Sequence, residues 1–210
     1  MKNIKSRRGF TLVEMLVVIG IIAVLVGASI SAFSKMRASA DRARVQELVS
    51  NVATALTAMF QQEGAWPKRL AMNGGSDGLL DGSTALPLAK GGYMSLTVNS
   101  DGTALGGLDR LGIVDPWAAA VVKRNGSSAS ESDVVNAPYK VRDHILHYAL
   151  DLDGDGIVDG ASVGGEPVSV RASAIVWCAG KDGKMEPYST GLKKDDVYSW
   201  TPGMATNAGN

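Results

Sequence analysis

Between residues 10 and 34 the chain carries one ionisable side chain, Glu14, in an otherwise uncharged and mostly apolar run. As a helix at ~1.5 Å per residue the run is about 37 Å long, enough to cross a bilayer core of ~30 Å. A carboxylate in hydrocarbon costs several kcal/mol and is rarely kept there without a partner. Lys2, Lys5, Arg7 and Arg8 precede the run, and no acid comes before Glu14. The excess of positive charge predicts a cytoplasmic N-terminus and an exported remainder. A secretory signal peptide is the competing reading, because Ala28-Ser29-Ile30-Ser31-Ala32 has the small residues of a cleavage site. That reading leaves Glu14 and the Gly9-Phe10 boundary without a purpose.

Beyond residue 34 the pattern becomes amphipathic. Val45, Leu48, Val49, Val52, Ala55, Leu56, Met59 and Phe60 recur at spacings of three and four. Arg42, Arg44, Glu47, Asn51 and Gln61 fill the other faces, and Gly64 with Pro67 supplies a stop. The expectation is one helix over residues 10–63, apolar all round in residues 10–34 and carrying one apolar stripe in residues 35–63. Gly20 and Gly27 are either tolerated in such a helix or permit close helix approach.

Residues 64–210 hold most of the 25 glycines and all seven prolines. Gly74-Gly75, Asp77-Gly78, Asp81-Gly82, Gly91-Gly92, Asp101-Gly102 and Gly106-Gly107 mark turns. Strands are expected at 93–98, 117–123, 145–150 and 169–178, and a loop at 127–133. In the last strand Val170, Ala172, Ala174, Val176 and Cys178 share a face. The fold class predicted is α+β: a long N-terminal helix whose stripe packs on a small antiparallel sheet. One domain of about 147 residues suffices for a core.

Few residues suggest chemistry. The single cysteine, Cys178, excludes an intrachain disulfide and reads as core. Formal net charge is zero, which gives no electrostatic ground for a nucleic-acid partner. His144 and His147 fall on opposite faces of the expected strand and read as structural. No serine sits in a Gly-x-Ser-x-Gly elbow, and no enzyme is predicted. A cation is the better candidate ligand. Asp151, Asp153, Asp155 and Asp159 occupy positions 1, 3, 5 and 9 of an EF-hand-like loop, with Gly156 at the turn and Ile157 offering its carbonyl. Position 12 is Ser162, so the bidentate glutamate is missing. The competing reading is a plain Asp/Gly turn.

Arg8-Gly9-Phe10-Thr11-Leu12-Val13-Glu14 resembles the class III signal of type IV pilins and type II secretion pseudopilins. The resemblance implies a leader of residues 1–9, cut after Gly9 by a prepilin peptidase, and N-methylation of Phe10. It implies that Glu14 meets the N-terminal amine of a neighbouring subunit during assembly. Gly64-Ala65-Trp66-Pro67 is similar to the end of a pilin helix. Asp115-Pro116-Trp117 is similar to a motif of the major pseudopilin, although Ala118 stands where that motif has glycine. Its following Pro-Tyr pair would be Pro138-Tyr139. The segment from Gly180 to Trp200 resembles that family's calcium loop. This implies calcium ligands at Asp182 and Asp196, or Asp195 in its place, with the carbonyls of Ala179 and Lys184.

The function so implied is that of a structural subunit of a type II secretion pseudopilus. Its partners would be copies of itself and other pilin-like subunits, the peptidase, an inner-membrane assembly platform and lipid. It would sit in the bacterial inner membrane with residues 64–210 in the periplasm, and in a periplasmic filament after assembly. The alternatives are a type IV pilin for adhesion, motility or DNA uptake, and a membrane-anchored calcium-binding domain that never polymerises.

Overall fold

The structure is a computed structural model that describes residues 11–118, 142–191, 195–201 and 205–207. Side chains are described for these except at 28–32, 107–108, 190–191 and 205–207. The chain divides into two compact units, Met1–Asp41 and Arg42–Asn210. The expected loop at 127–133 and the Pro138-Tyr139 pair lie outside the described residues.

Helix α1 spans Leu12–Glu63, close to the expected 10–63. Its stop has a clear cause. Gly64 takes a left-handed φ of 71° and donates its N–H to the Phe60 carbonyl 2.9 Å away, which satisfies an end carbonyl of the helix. Trp66 then folds back and stacks on Phe60, ring centroids 4.6 Å apart.

In the Met1–Asp41 unit every described side chain except that of Asp41 is exposed, including Leu12 at 81% and Val24 at 72%. No helix among the described residues is long and apolar enough to cross a membrane. The first unbroken stretch of described side chains, residues 12–27, would rise only about 24 Å at ~1.5 Å per residue, and Phe33 and Met36 are exposed beyond it.

In the Arg42–Asn210 unit the helical stripe does what its spacing demands. Val45, Val49, Val52, Leu56 and Met59 are buried, and Leu48 packs at their margin. Each such side chain removed from water stabilises by roughly 1.5–3 kcal/mol. The stripe lies against an antiparallel sheet of order β1-β2-β5-β6, made of Gly78–Leu79, His147–Leu150, Ala174–Cys178 and Val197–Tyr198. Short helices α2 (Lys68–Asn73) and α3 (Leu86–Lys90) close the same core. The Tyr148 hydroxyl donates to the Leu70 carbonyl and ties α2 to the sheet, at 3.0 Å.

A second sheet, β3-β4-β7, is formed by Val158–Val163, Glu166–Val170 and Ala205–Asn207. The strict alternation of a strand explains how β5 serves two cores. Ala174, Val176 and Cys178 face the helix, while Ile175 and Trp177 join Val158, Val163, Val168 and Val170 in a second cluster. The expectation of one sheet is therefore corrected to two. The missed hairpin has a sequence signal, since Val163 pairs with Glu166 across Gly164-Gly165, both at positive φ.

Three strand assignments also change. The expected strand 169–178 is broken at residues 171–173. Val170 pairs with Val158 in one sheet and Ala174 with Leu150 in the other, while the Ser173 carbonyl accepts from Asp151 N–H. Residues 93–98 form no strand, because Tyr93 and Met94 both donate to the Leu88 carbonyl behind α3. Of the strand expected at 117–123, Trp117 and Ala118 instead lie in a turn closed by the Asp115 carboxylate, and the rest is outside the described residues. The strand at 145–150 is found as His147–Leu150, with Ile145 bridging to Val114.

Candidate functional site

Gly9 and Phe10 lie outside the described residues. Glu14 is described, and its local chemistry is a capping box. Glu14 Oε2 accepts from the Thr11 N–H and from the Thr11 hydroxyl, both at 2.8 Å, and Glu14 N–H donates back to Thr11 Oγ1 at 3.2 Å. The Thr-x-x-Glu spacing that produces this was present in the sequence. The first-turn carboxylate also lies at the positive end of the helix dipole. One of its oxygens thus has partners within its own chain, while the side chain stays exposed.

The first acidic loop follows β2. Its carboxylates at Asp151, Asp153 and Asp155 each bring an oxygen within 4.8 Å of the others. Asp151 is buried and fixes the turn: Oδ1 accepts from Gly154 N–H at 2.7 Å and Oδ2 from Gly156 N–H at 2.8 Å. Asp155 Oδ1 accepts from Ile157 N–H at 2.8 Å. Asp159 lies on β3, outside this trio, and Ser162 is also on β3. The Trp66 indole N–H reaches the Asp151 carbonyl at 2.6 Å, so the Gly-x-Trp-Pro segment anchors this loop to the end of α1.

The second acidic loop joins β5 to β6. Here Asp182, Glu186 and Asp195 form the trio. Asp195 takes the place that the resemblance gave first to Asp196, and Glu186 was not foreseen. Its only sequence signal is an acid four residues after Asp182. Asp195 Oδ2 accepts from Lys181 and Asp182 N–H, and Asp182 Oδ1 from Lys184 N–H. Ala179 is buried at the end of the sheet, and Lys184 is exposed.

Asp196 sits behind this trio, 2% exposed. Its Oδ2 accepts from Glu186 N–H and the Tyr198 hydroxyl, and its Oδ1 has no hydrogen-bond partner among the described residues. Burial, with the neighbouring charges of Glu186 and Asp195, pushes its pKa up to about 6. A buried carboxylate oxygen without a donor, next to a trio of hard oxygen ligands, fits the needs of a calcium-sized cation.

The two histidines take separate partners. His144 is buried, with Nδ1 3.0 Å from Asp115 Oδ2, and His147 Nδ1 lies 2.6 Å from Asp77 Oδ1. Burial opposes charge on His144, but the hydrogen bond and charge of Asp115, aided by Asp143 and Asp182, raise its pKa above the usual histidine value. The Asp115-Pro116-Trp117 segment therefore serves packing: Asp115 closes a turn with one oxygen and holds His144 with the other. Burial pushes the Cys178 thiol up to about 12, which suits a core residue and not a nucleophile.

Residues 4–30 match the family model of the prokaryotic N-terminal methylation motif. No solved structure matches the chain.

Proposed function

We propose that this chain, which carries the prokaryotic N-terminal methylation motif, is a structural subunit of a type II secretion pseudopilus. The motif is the class III signal of type IV pilins and pseudopilins, and it implies processing by a prepilin peptidase and assembly with pilin-like subunits. The observation that carries the reading is the uncovered apolar surface of residues 12–27 beside a lone carboxylate. Among the described residues, nothing else in its own unit shields that surface from water. A bilayer satisfies it before assembly, and identical helices satisfy it afterwards. Residues 10–34 are then the membrane segment, with the leader in the cytoplasm and residues 64–210 in the periplasm.

Cleavage after Gly9 would free an amine at Phe10, four residues before Glu14. In the membrane the Thr11 cap gives the Glu14 carboxylate two hydrogen bonds but no counter-charge. The amine of an incoming subunit supplies that charge, and a buried charge gains most from a paired cation. The Asp-Pro-Trp segment and the acidic loop after β5 favour the pseudopilin over the pilin reading. Calcium is assigned to the Asp182, Glu186 and Asp195 trio, with Asp196 behind it.

Mass spectrometry of the mature protein tests the class. A methylated Phe10 N-terminus is expected, and a start after Ala32 would indicate an ordinary signal peptide. Replacing Glu14 with leucine is expected to leave membrane insertion intact and to abolish filaments seen by electron microscopy. Normal filaments from that variant would refute the assembly role. Calorimetric titration of the full chain in detergent tests calcium. Heat that disappears in Asp182→Ala and persists in Asp155→Ala supports the second loop, and no heat in the parent chain refutes it.

A further inference from the structure

A cavity of about 520 Å³ opens on the Arg42–Asn210 unit. Leu79, Leu111 and Ile145 contribute to an apolar floor, and three exposed arginines, Arg69, Arg110 and Arg142, stand around it. Among the described residues none of these guanidinium groups has a hydrogen bond or an ion pair. The one carboxylate in the lining, Asp81, is turned to its own loop, where Oδ1 accepts from the N–H and hydroxyl groups of Ser83 and Thr84. The cavity is thus apolar at its base and positively charged at its edge. Its complement is an apolar side chain flanked by carboxylates.

The same unit displays that complement elsewhere. Leu152, 51% exposed, and Met72 are its exposed large apolar side chains among the described residues. Leu152 stands between Asp151 and Asp153, and both Asp153 and Asp155 are exposed. The loop is held in shape by Asp151 bonding to Gly154 and Gly156, so ordering it on contact costs little entropy. Leu152 packs beside Gly75, past the C-terminal end of α2, whereas the cavity takes Arg69 from the first turn of that helix.

We propose that the leucine-tipped acidic loop, residues 152–155, of one copy seats in the arginine-edged cavity of the next copy. The inference rests on the filament reading above. Knob and socket are different patches, so the contact is head-to-tail, and head-to-tail contacts that do not close generate open strings. Exposed ion pairs are worth little singly. Here they act among subunits already held together by their N-terminal helices, where effective concentrations reach roughly the millimolar range. Under those conditions the charges fix register and the leucine supplies the apolar contact.

The test uses the full chain assembled in cells. Ser83, exposed in the cavity lining, and Leu152 are both replaced by cysteine, and the filaments are oxidised. Cys178 is buried and adds no background. A ladder of covalent dimers, trimers and longer species is expected, and each single replacement should lack it. Filaments without the ladder, or crosslinking that ends at dimers, overturn the contact. Filament yield gives a second measure without cysteines. Arg110→Glu is expected to lower yield at least tenfold, and adding Asp153→Arg to restore it. Unchanged yield in Arg110→Glu overturns the contact while leaving the filament reading intact. A parent chain that forms no filament overturns both.

Discussion

The two parts of helix α1 share a backbone geometry, yet they bury opposite amounts of apolar surface. Val45, Val49, Val52, Leu56 and Met59 are fully shielded by the sheet and short helices of the Arg42–Asn210 unit. Leu12, Ile19 and Val24 are more than half exposed. The difference is in pattern. Apolar residues at spacings of three and four leave a polar face for water, so one folded domain satisfies them. Apolar residues on every face leave no side for water, so only lipid or further copies satisfy them. One stretch is therefore stabilised by its own chain, and the other is a demand placed on something outside it.

That contrast can be broken by substitution. The largest expected effect is on assembly: Glu14→Leu removes filaments altogether and leaves the unfolding of residues 42–210 unchanged in urea. Next, Leu56→Ala should destabilise by about 3 kcal/mol, because a fully buried leucine leaves a cavity. Ile19→Ala should shift the same unfolding curve by less than about 0.5 kcal/mol while lowering filament yield. Equal destabilisation by both would erase the distinction between the two parts of the helix.

Calcium sharpens the comparison, because it should act on one side only. At a concentration 100 times its dissociation constant it would add about 2.7 kcal/mol to the stability of the Arg42–Asn210 unit. Chelation should lower the thermal midpoint of the parent chain and leave Asp182→Ala unmoved. The smallest effect concerns His144. Its pKa is raised by folding, so its contribution is complete below the unfolded value near 6.5 and fades as pH rises through the higher folded value. His144→Asn should cost about 1 kcal/mol at pH 6 and progressively less at higher pH. A variant whose deficit grows with pH would contradict the Asp115 pairing.

Local features were legible because they depend on near neighbours. The Gly64 cap, the buried stripe from Val45 to Met59, and the strand ending at Leu150 follow from periodicity and backbone freedom. Thr11 and Glu14 were equally readable as a capping box, because Thr-x-x-Glu is a local spacing. The break between Val170 and Ala174 was not readable. Period-two alternation continues through Ala172, and nothing in it says that the chain changes sheets. Tyr93 and Met94 have strand-like surroundings, but the orphan carbonyl at Leu88 claims their N–H groups.

By itself the sequence determined what each segment must hide. It set a membrane-length run with one carboxylate, an amphipathic helix, and two loops rich in aspartate, because hydrophobic periodicity and turn chemistry are local. Tertiary structure alone decided which groups meet. It put Glu186 beside Asp182 and Asp195, left Asp196 buried with an oxygen that has no donor among the described residues, paired His144 with Asp115, and gathered Arg69, Arg110 and Arg142 around one cavity. These residues are far apart along the chain or off any regular period, so only the packing of the two sheets and their connecting loops brings them together.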